Sequence, residues 1–548
     1  MKINKTDRRN FLGGFASASL GLTVLPAIVQ GNNTLERNEY FLPENTWKVY
    51  NICNNGAIGD GKTLNTKAIQ FLIDTCSENG GGTVFFPPGN YLTGSIQIRD
   101  NVDLHLSAGA TIWGSPNLSD YSNSCLVYAE DANNISITGR GTINGNGKSF
   151  WGKYYEDYFK KTGSWTEEIY GIIKRPGRLF KFLRCNNILI EGITIENSPA
   201  WTIHPIDCER VTITGISILT GVYEDHGPNT DGIDPDGCSH VRISDCYIQS
   251  GDDCIVLKIT DREGGKKICR DVVVTNCILE TKQTALKIGS ETYGEFRNIV
   301  FSNCAVHQAG NGFGLWMRDG GLIDGVVVNN IAMDVGRIKN CQGIFIWSHR
   351  RNESTPWGTI RNVLVSNVTI HGAGGIYVSG DNEKHIEGLV FDNIRINITD
   401  GRSTNRHENP PYPTPYVFSY RIAPCDIFCR YVDDIKLRNI QLIWDKPEKA
   451  DWGSAIRCWH VNNLEIAGFN GRQSLHSYAS AIGLKDAKGV FIHNCQAPKD
   501  TGTFLHLGEG TEKVTIIGND LSRAQKMLLL DDSIDSREIY QTSNHLPK

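Results

Sequence analysis

The chain has 548 residues, of which 40% are hydrophobic and 21% charged, a globular composition that excludes a disordered or low-complexity chain. Its net charge of -5 excludes a general attraction to nucleic acid or anionic membranes, so an acidic ligand must be held by a local group of basic residues.

Lys2, Lys5 and the pair Arg8-Arg9 precede an apolar stretch from Phe11 to about Val29, the layout of an export signal. The string Thr6-Asp7-Arg8-Arg9-Asn10-Phe11-Leu12 resembles a twin-arginine signal, which implies a bacterial protein exported already folded, to the periplasm or the medium. Gly and Ser make this stretch polar for a membrane span, and no second hydrophobic run follows. Residues 1–31 are therefore read as the export signal, with no stable span expected after its removal.

Ala68, Ile69, Leu72, Ile73 and Cys76 recur at helical spacing, which predicts a helix over Thr66 to Cys76. It precedes the glycine-rich run Gly80 to Gly89 and is placed as a cap on the N-terminal end of the domain. From about residue 133 a short pattern returns: alternating apolar positions, one variable residue, then Asn, Asp or Gly before another apolar residue. It reads Ile188 to Ile193, Val241 to Cys246, Val272 to Cys277, Ile299 to Cys304, Val326 to Ile331, Val363 to Val368, Leu389 to Ile394, Ile435 to Ile440 and Val490 to Cys495. A step of about 23 to 31 residues between short β-type runs marks a solenoid in which each repeat is one coil. The Leu-spaced consensus of leucine-rich repeats is absent, and a propeller repeat is nearly twice as long. The fold expected for residues 46–548 is an all-β parallel β-helix with an N-terminal capping segment containing one helix. Longer steps at 145–178 and 399–432 predict projecting loops, the second rich in Pro and Tyr over Asn409 to Tyr416.

Sixteen cysteines in an exported chain would ordinarily suggest disulfides. Cys246, Cys277, Cys304 and Cys495 instead share one point of the repeat, which fits small side chains stacked inside the solenoid. Cys425 and Cys429, read as part of a long loop, are candidates for a pair. No cysteine spacing suits zinc.

A second matching position aligns Asp231-Gly232-Ile233 with Asp253-Cys254-Ile255, Thr284-Ala285-Leu286, Phe313-Gly314-Leu315, Gln342-Gly343-Ile344 and Gly374-Gly375-Ile376. Asp231 and Asp253 then lie on adjacent coils, with Asp252 beside them. Crowded carboxylates push at least one pKa upward, giving a protonated acid beside ionised partners. Glycoside hydrolysis uses that division: one acid protonates the leaving oxygen while a carboxylate activates water or attacks. A calcium site or solvated turn acids would use the same residue types.

The string NTDGID at 229–234, followed by GDDCI at 251–255, resembles the polygalacturonase family of glycoside hydrolases (family 28), pectin-degrading right-handed parallel β-helices. The resemblance runs from about Val49 to the end, through Gly56 to Lys62 and Asn197 to His204. It implies Asp252 as general acid, Asp231 and Asp253 as water-activating carboxylates, inversion by single displacement, and an acidic polysaccharide partner. No cofactor and no metal are expected. Two positions depart from the family. Its Gly-His-Gly corresponds to Gln283-Thr284-Ala285, so the usual histidine is missing, and its Arg-x-Lys corresponds to Trp316-Met317-Arg318. Both normally help to hold a galacturonate, which leaves the sugar open between homogalacturonan and a rhamnogalacturonan or other substituted uronate chain. Candidate substrate contacts are Asn229, His226, Lys258, Lys287, Glu291, Trp316 and Arg318, with Trp201 and His204 beside them. Insertions flanking the cleft favour chain-end attack. A calcium-dependent lyase and a non-catalytic carbohydrate-binding β-helix are the alternatives.

Overall fold

The computed structural model describes residues 48–547 apart from 163–164, 166, 222–225, 337–341, 373, 400–424, 447 and 449–452. The export signal at 1–31 and the Pro/Tyr-rich run at 409–416 lie outside the described residues. Among them, no helix is long and apolar enough to cross a membrane.

The chain winds as a right-handed parallel β-helix. The apolar residue that opens each repeat stacks in a single column: Ile188, Val211, Val241, Val272, Ile299, Val326, Val363, Leu389, Ile435, Leu464, Val490 and Val514 pair coil by coil in parallel register. All are buried, and each contributes about 1.5–3 kcal/mol of burial on folding. Val211, Leu464 and Val514 are members of the column that the spaced pattern did not mark.

The recurrent Asn, Asp or Gly closes the turn after this column. Gly192, Asp245, Asn276, Asn303, Asn330, Asn367, Asn393, Asn439 and Asn494 all have positive φ, the left-handed conformation that Gly and Asn tolerate best. Amides pass hydrogen bonds from coil to coil, as from Asn393 to Asn367 at 2.7 Å and from Asn330 to Asn303 at 3.2 Å. The helix Thr66–Glu78 caps the N-terminal end, burying Ile69, Leu72, Ile73 and Cys76 against the first coils.

Three expectations are corrected. The 145–178 insertion forms helices at Lys148–Tyr154 and Glu167–Ile172 joined by a π turn at Tyr155–Phe159, rather than a loop. Trp151, Tyr155 and Phe159, four residues apart, give it an aromatic core of its own, completed by Ile173. Cys425 and Cys429 sit in the strand Cys425–Trp444, where four extended steps along the chain set them roughly 13 Å apart, too far to pair. All described cysteines are free. Cys246, Cys277 and Cys304 stack inside as expected. Finally, Leu286 pairs with Phe313, so Asn311-Gly312-Phe313 rather than Phe313-Gly314-Leu315 continues the aspartate position. A two-residue slip preserves which side chains face inward, so alternation alone does not detect it.

Candidate active site

One sheet carries the site. It runs through Cys125–Glu130, Arg178–Leu183 and Trp201–Ile206, then resumes at Ile255–Ile259, Thr284–Thr292, Asn311–Met317 and Ile344–Ser348. Between Ile206 and Ile255 the coil passes as Asp231-Gly232-Ile233-Asp234-Pro235-Asp236 and pairs through isolated bridges, Ile233 to Ile203 and Ile255 among them. Pro235 has no N–H to donate. A Cβ on Gly232 would collide with the Cys254 carbonyl and approach the Ile248 side chain to 2.8 Å, so the coils meet this closely because glycine stands there. The irregular coil turns Asp231 onto the surface shared with Asp252 and Asp253.

Carboxylate oxygens of Asp231, Asp252 and Asp253 lie within 4.8 Å of one another. Asp231 and Asp253 are buried and Asp252 is partly exposed. Burial first, then Asp234 and Asp253, push Asp231 well above the ordinary carboxylate range; burial, then Asp231 and Asp253, do the same to Asp252. Asp234, which completes NTDGID, is fully buried and raised to about 8, by burial first and by Asp253 and Asp252 against the opposing charge of Lys258.

Two lysines answer this charge. Lys287 donates to Asp253 at 2.7 Å. Lys258 donates to Glu291 at 3.1 Å and stands 3.8 Å from both Asp231 and Asp234. Burial would lower the Lys258 pKa, but Glu291 and the three aspartates around it raise it instead. Burial likewise opposes ionisation of Glu291, yet Lys258, Lys287 and Arg351 bring its pKa down to about 2. The spacing of the three aspartates would also accept a calcium ion, but the Lys258 ammonium 3.8 Å from Asp231 and the Lys287 ammonium 2.7 Å from Asp253 oppose a dication there.

Thr284, at the position of the family histidine, holds Asp253 through its backbone N–H at 3.0 Å. Asn229 has φ 51° and accepts from Arg175 at 3.2 Å. His226 packs edge-on against Phe159 of the insertion and covers Gly251, where a Cβ would come within 2.7 Å of the imidazole. This places His226 beside Asp252. Trp201 lies between Lys258 at 4.7 Å and Arg178 at 5.1 Å from its ring centre. His204 is fully buried between Arg178 and Asp236, and its pKa is lowered to about 4, chiefly by burial. It belongs to the supporting structure. Trp316 is buried against Phe345 and Trp347, with the Lys287 ammonium 4.8 Å from its ring centre. Arg318 stands over Trp347, 5.8 Å from its ring centre.

Three charged groups were not singled out in the sequence. Arg175 leaves the insertion, donates to the Pro228 carbonyl and to that of Pro199 at 2.6 Å, and feels Asp231 and Asp252. Arg351 pairs with buried Asp319 at 2.5 Å and lies 3.6 Å from Glu291. The third is Asp234, which closes the very motif that marked Asp231.

An acidic cleft on a right-handed parallel β-helix, with crowded aspartates backed by lysines, defines a class of carbohydrate-active solenoid. The model of glycosyl hydrolases family 28 matches residues 76–416, and the chain belongs to that family. A Vitis vinifera protein named "Probable polygalacturonase" is 34% identical over 225 residues, covering 37% of this chain and 43% of its own length. The chain thus matches under half of that relative. The "Exo-poly-alpha-D-galacturonosidase" of Dickeya chrysanthemi is 26% identical over 417 residues, covering 64% of this chain and 67% of its own. An exopolygalacturonase structure from Thermotoga maritima superposes with a TM-score of 0.56 at 26% identity, covering 64% of this chain and 87% of the other.

Proposed function

We propose that the chain hydrolyses α-glycosidic bonds of a pectic, uronate-bearing polysaccharide, with Asp252 as general acid and Asp231 and Asp253 as the carboxylates that activate water. The observation that carries this reading is the three-aspartate cluster. Asp231 and Asp252 both have raised pKa values, but of the two only Asp252 is partly exposed and so placed to hand a proton to the leaving oxygen, while Asp231 has the Lys258 ammonium 3.8 Å away to favour its ionised form. Asp253, fixed by Lys287 and the Thr284 N–H, faces the same space as a hydrogen-bond acceptor for water. Similarity to proteins named polygalacturonase and exopolygalacturonase supports the pectic substrate. Lys258, Lys287, Glu291, Asn229, His226, Trp316 and Arg318 make up the proposed substrate-binding surroundings.

Chain-end attack is part of the proposal. Trp151, against Gly227, and Phe159, against His226, bring the insertion over the side of the cleft that holds Asn229. The single-displacement, inverting course rests on family membership: the nearest oxygens lie within 4.8 Å, less than the roughly 6.5–9.5 Å carboxyl separation usual for inversion. Residues 1–31 are proposed as an export signal and 46–548 as one hydrolase domain, supported by the Arg8-Arg9 layout and the unbroken column of coils.

Product sizing and NMR of the newly released anomer test the reading together. Mono- or digalacturonate appearing first, as the inverted anomer, is expected. Long internal fragments would remove chain-end attack. Unsaturated, ultraviolet-absorbing products that vanish with chelator would replace hydrolysis by calcium-assisted elimination.

A further inference from the structure

The same sheet carries a second concavity far from the aspartates. Lys287 is in register with Gly314, Phe345, Tyr377, Phe428 and then Arg457, which is five strand steps, or roughly 24 Å at about 4.8 Å per step. The outward rank continues as Arg457, Gly483 and His506, with Trp459 and Lys485 in the neighbouring rank. Gly483 therefore leaves a notch between two large side chains. A Cβ there would meet nothing nearer than Ser480 Oγ at 3.6 Å and Arg457 Cγ at 3.7 Å, so the notch is open space rather than a close backbone approach. The groove holds about 280 Å³ and is also lined by Ser454 and Asp531.

Its chemistry is one-sided. Among the described residues, Arg457 and Lys485 make no ion pair; Arg457 donates to Ser454 Oγ at 3.3 Å, leaving its terminal nitrogens for another acceptor. The one lining carboxylate, Asp531, is engaged by His506 at 2.8 Å and by the Glu509 N–H at 3.2 Å, and it also feels the Lys485 charge, so Arg457 is the cation most open to a ligand. Trp459 packs its indole edge against Phe428 at 5.0 Å and stays partly exposed. Tyr478, which precedes the lining residue Ala479, is fully exposed. A guanidinium fork, a lysine, an aromatic face and hydroxyls around a shallow groove suit a carboxylate-bearing sugar. The groove lies beyond residue 416, outside the stretch matched by the family model.

We propose that this groove is a second, non-hydrolytic binding site for a uronate-bearing sugar chain. The ligand class follows from the groove, while its being the polysaccharide cut at the aspartates rests on the function proposed above. The two sites face the same way on one sheet, so a long chain held at Arg457 is kept near the acids at raised local concentration.

The test uses full-length Asp252→Asn protein titrated calorimetrically with a long oligogalacturonide and with the same oligomer after reduction of its carboxylates to alcohols. Two binding events are expected with the acidic oligomer, one of them weakened at least tenfold by Arg457→Ala or by Gly483→Leu, which fills the notch, and absent with the reduced oligomer. With Asp252 restored, both variants should raise KM on long chains and leave turnover of short oligomers unchanged. Either variant suffices if the other unfolds, as read by its thermal transition. Oligomer binding identical in a folded variant and its parent would overturn the proposal. Arg457-dependent binding by a protein that releases no product from any pectic polysaccharide would support the groove and sink the hydrolytic reading alone.

Discussion

The Lys287 ammonium donates to Asp253 at 2.7 Å while lying 4.8 Å from the ring centre of Trp316, so one cation joins the acid cluster to the aromatic packing beside it. Lys287→Met keeps the stem and removes the charge. Because Lys287 lowers the Asp252 pKa, its loss should move the alkaline limb of the pH–rate profile to higher pH, together with a drop in kcat/KM on the order of 10²-fold. Partial rescue by Lys287→Arg is expected. An unmoved limb and a wild-type rate would take Lys287 out of the reaction.

Asp252→Asn should lower product release about 10²–10⁴-fold with little change in thermal unfolding temperature. Asp252 acts protonated and its pKa is raised, so the wild-type rate should fall as pH climbs through that folded value. Reducing-end assays across a pectic panel check both points. Unchanged release would return the general-acid role to another residue.

Asp234 contributes a pH-dependent cost. In the unfolded chain it ionises near its ordinary pKa of 3.8, but in the folded protein it keeps its proton up to about 8. Between these values the folded state binds more protons, so stability declines with rising pH. Asp234→Asn should flatten that decline in denaturant unfolding measured from about pH 4 to about pH 8. A variant whose stability keeps the wild-type slope would contradict the buried, protonated state.

Arg175 ties the helical insertion to the active-site coil through Pro199, Pro228 and Asn229. Arg175→Ala leaves three acceptors without their donor and should cost about 1–3 kcal/mol of stability. If the insertion enforces chain-end attack, longer fragments should appear early in the digest. Product ladders from variant and wild type decide it.

The repeat was legible because it is a local rule. Each coil must place an apolar column inward and an Asn, Asp or Gly at the left-handed turn, so Ile188 through Val490 announced the solenoid one coil at a time. The capping helix and the three aspartates were readable for the same reason, as spacing within short strings. Trp151, Tyr155 and Phe159 also stood at helical spacing, and the projecting-loop reading passed over that signal. The Phe313 register was invisible to alternation, since a shift of two residues changes no side chain from inside to outside.

What required the folded chain is everything set by burial and by residues distant in sequence. Asp234 carries a raised pKa because the coils enclose it, Glu291 a lowered one because Lys258, Lys287 and Arg351 converge on it, and Arg175 reaches Asn229 because the insertion folds back. Residue types and spacing thus determined the solenoid and named its acids. The balance of desolvation against paired charge that raises the pKa of Asp252 and lowers that of Glu291 is a property of the packed structure alone.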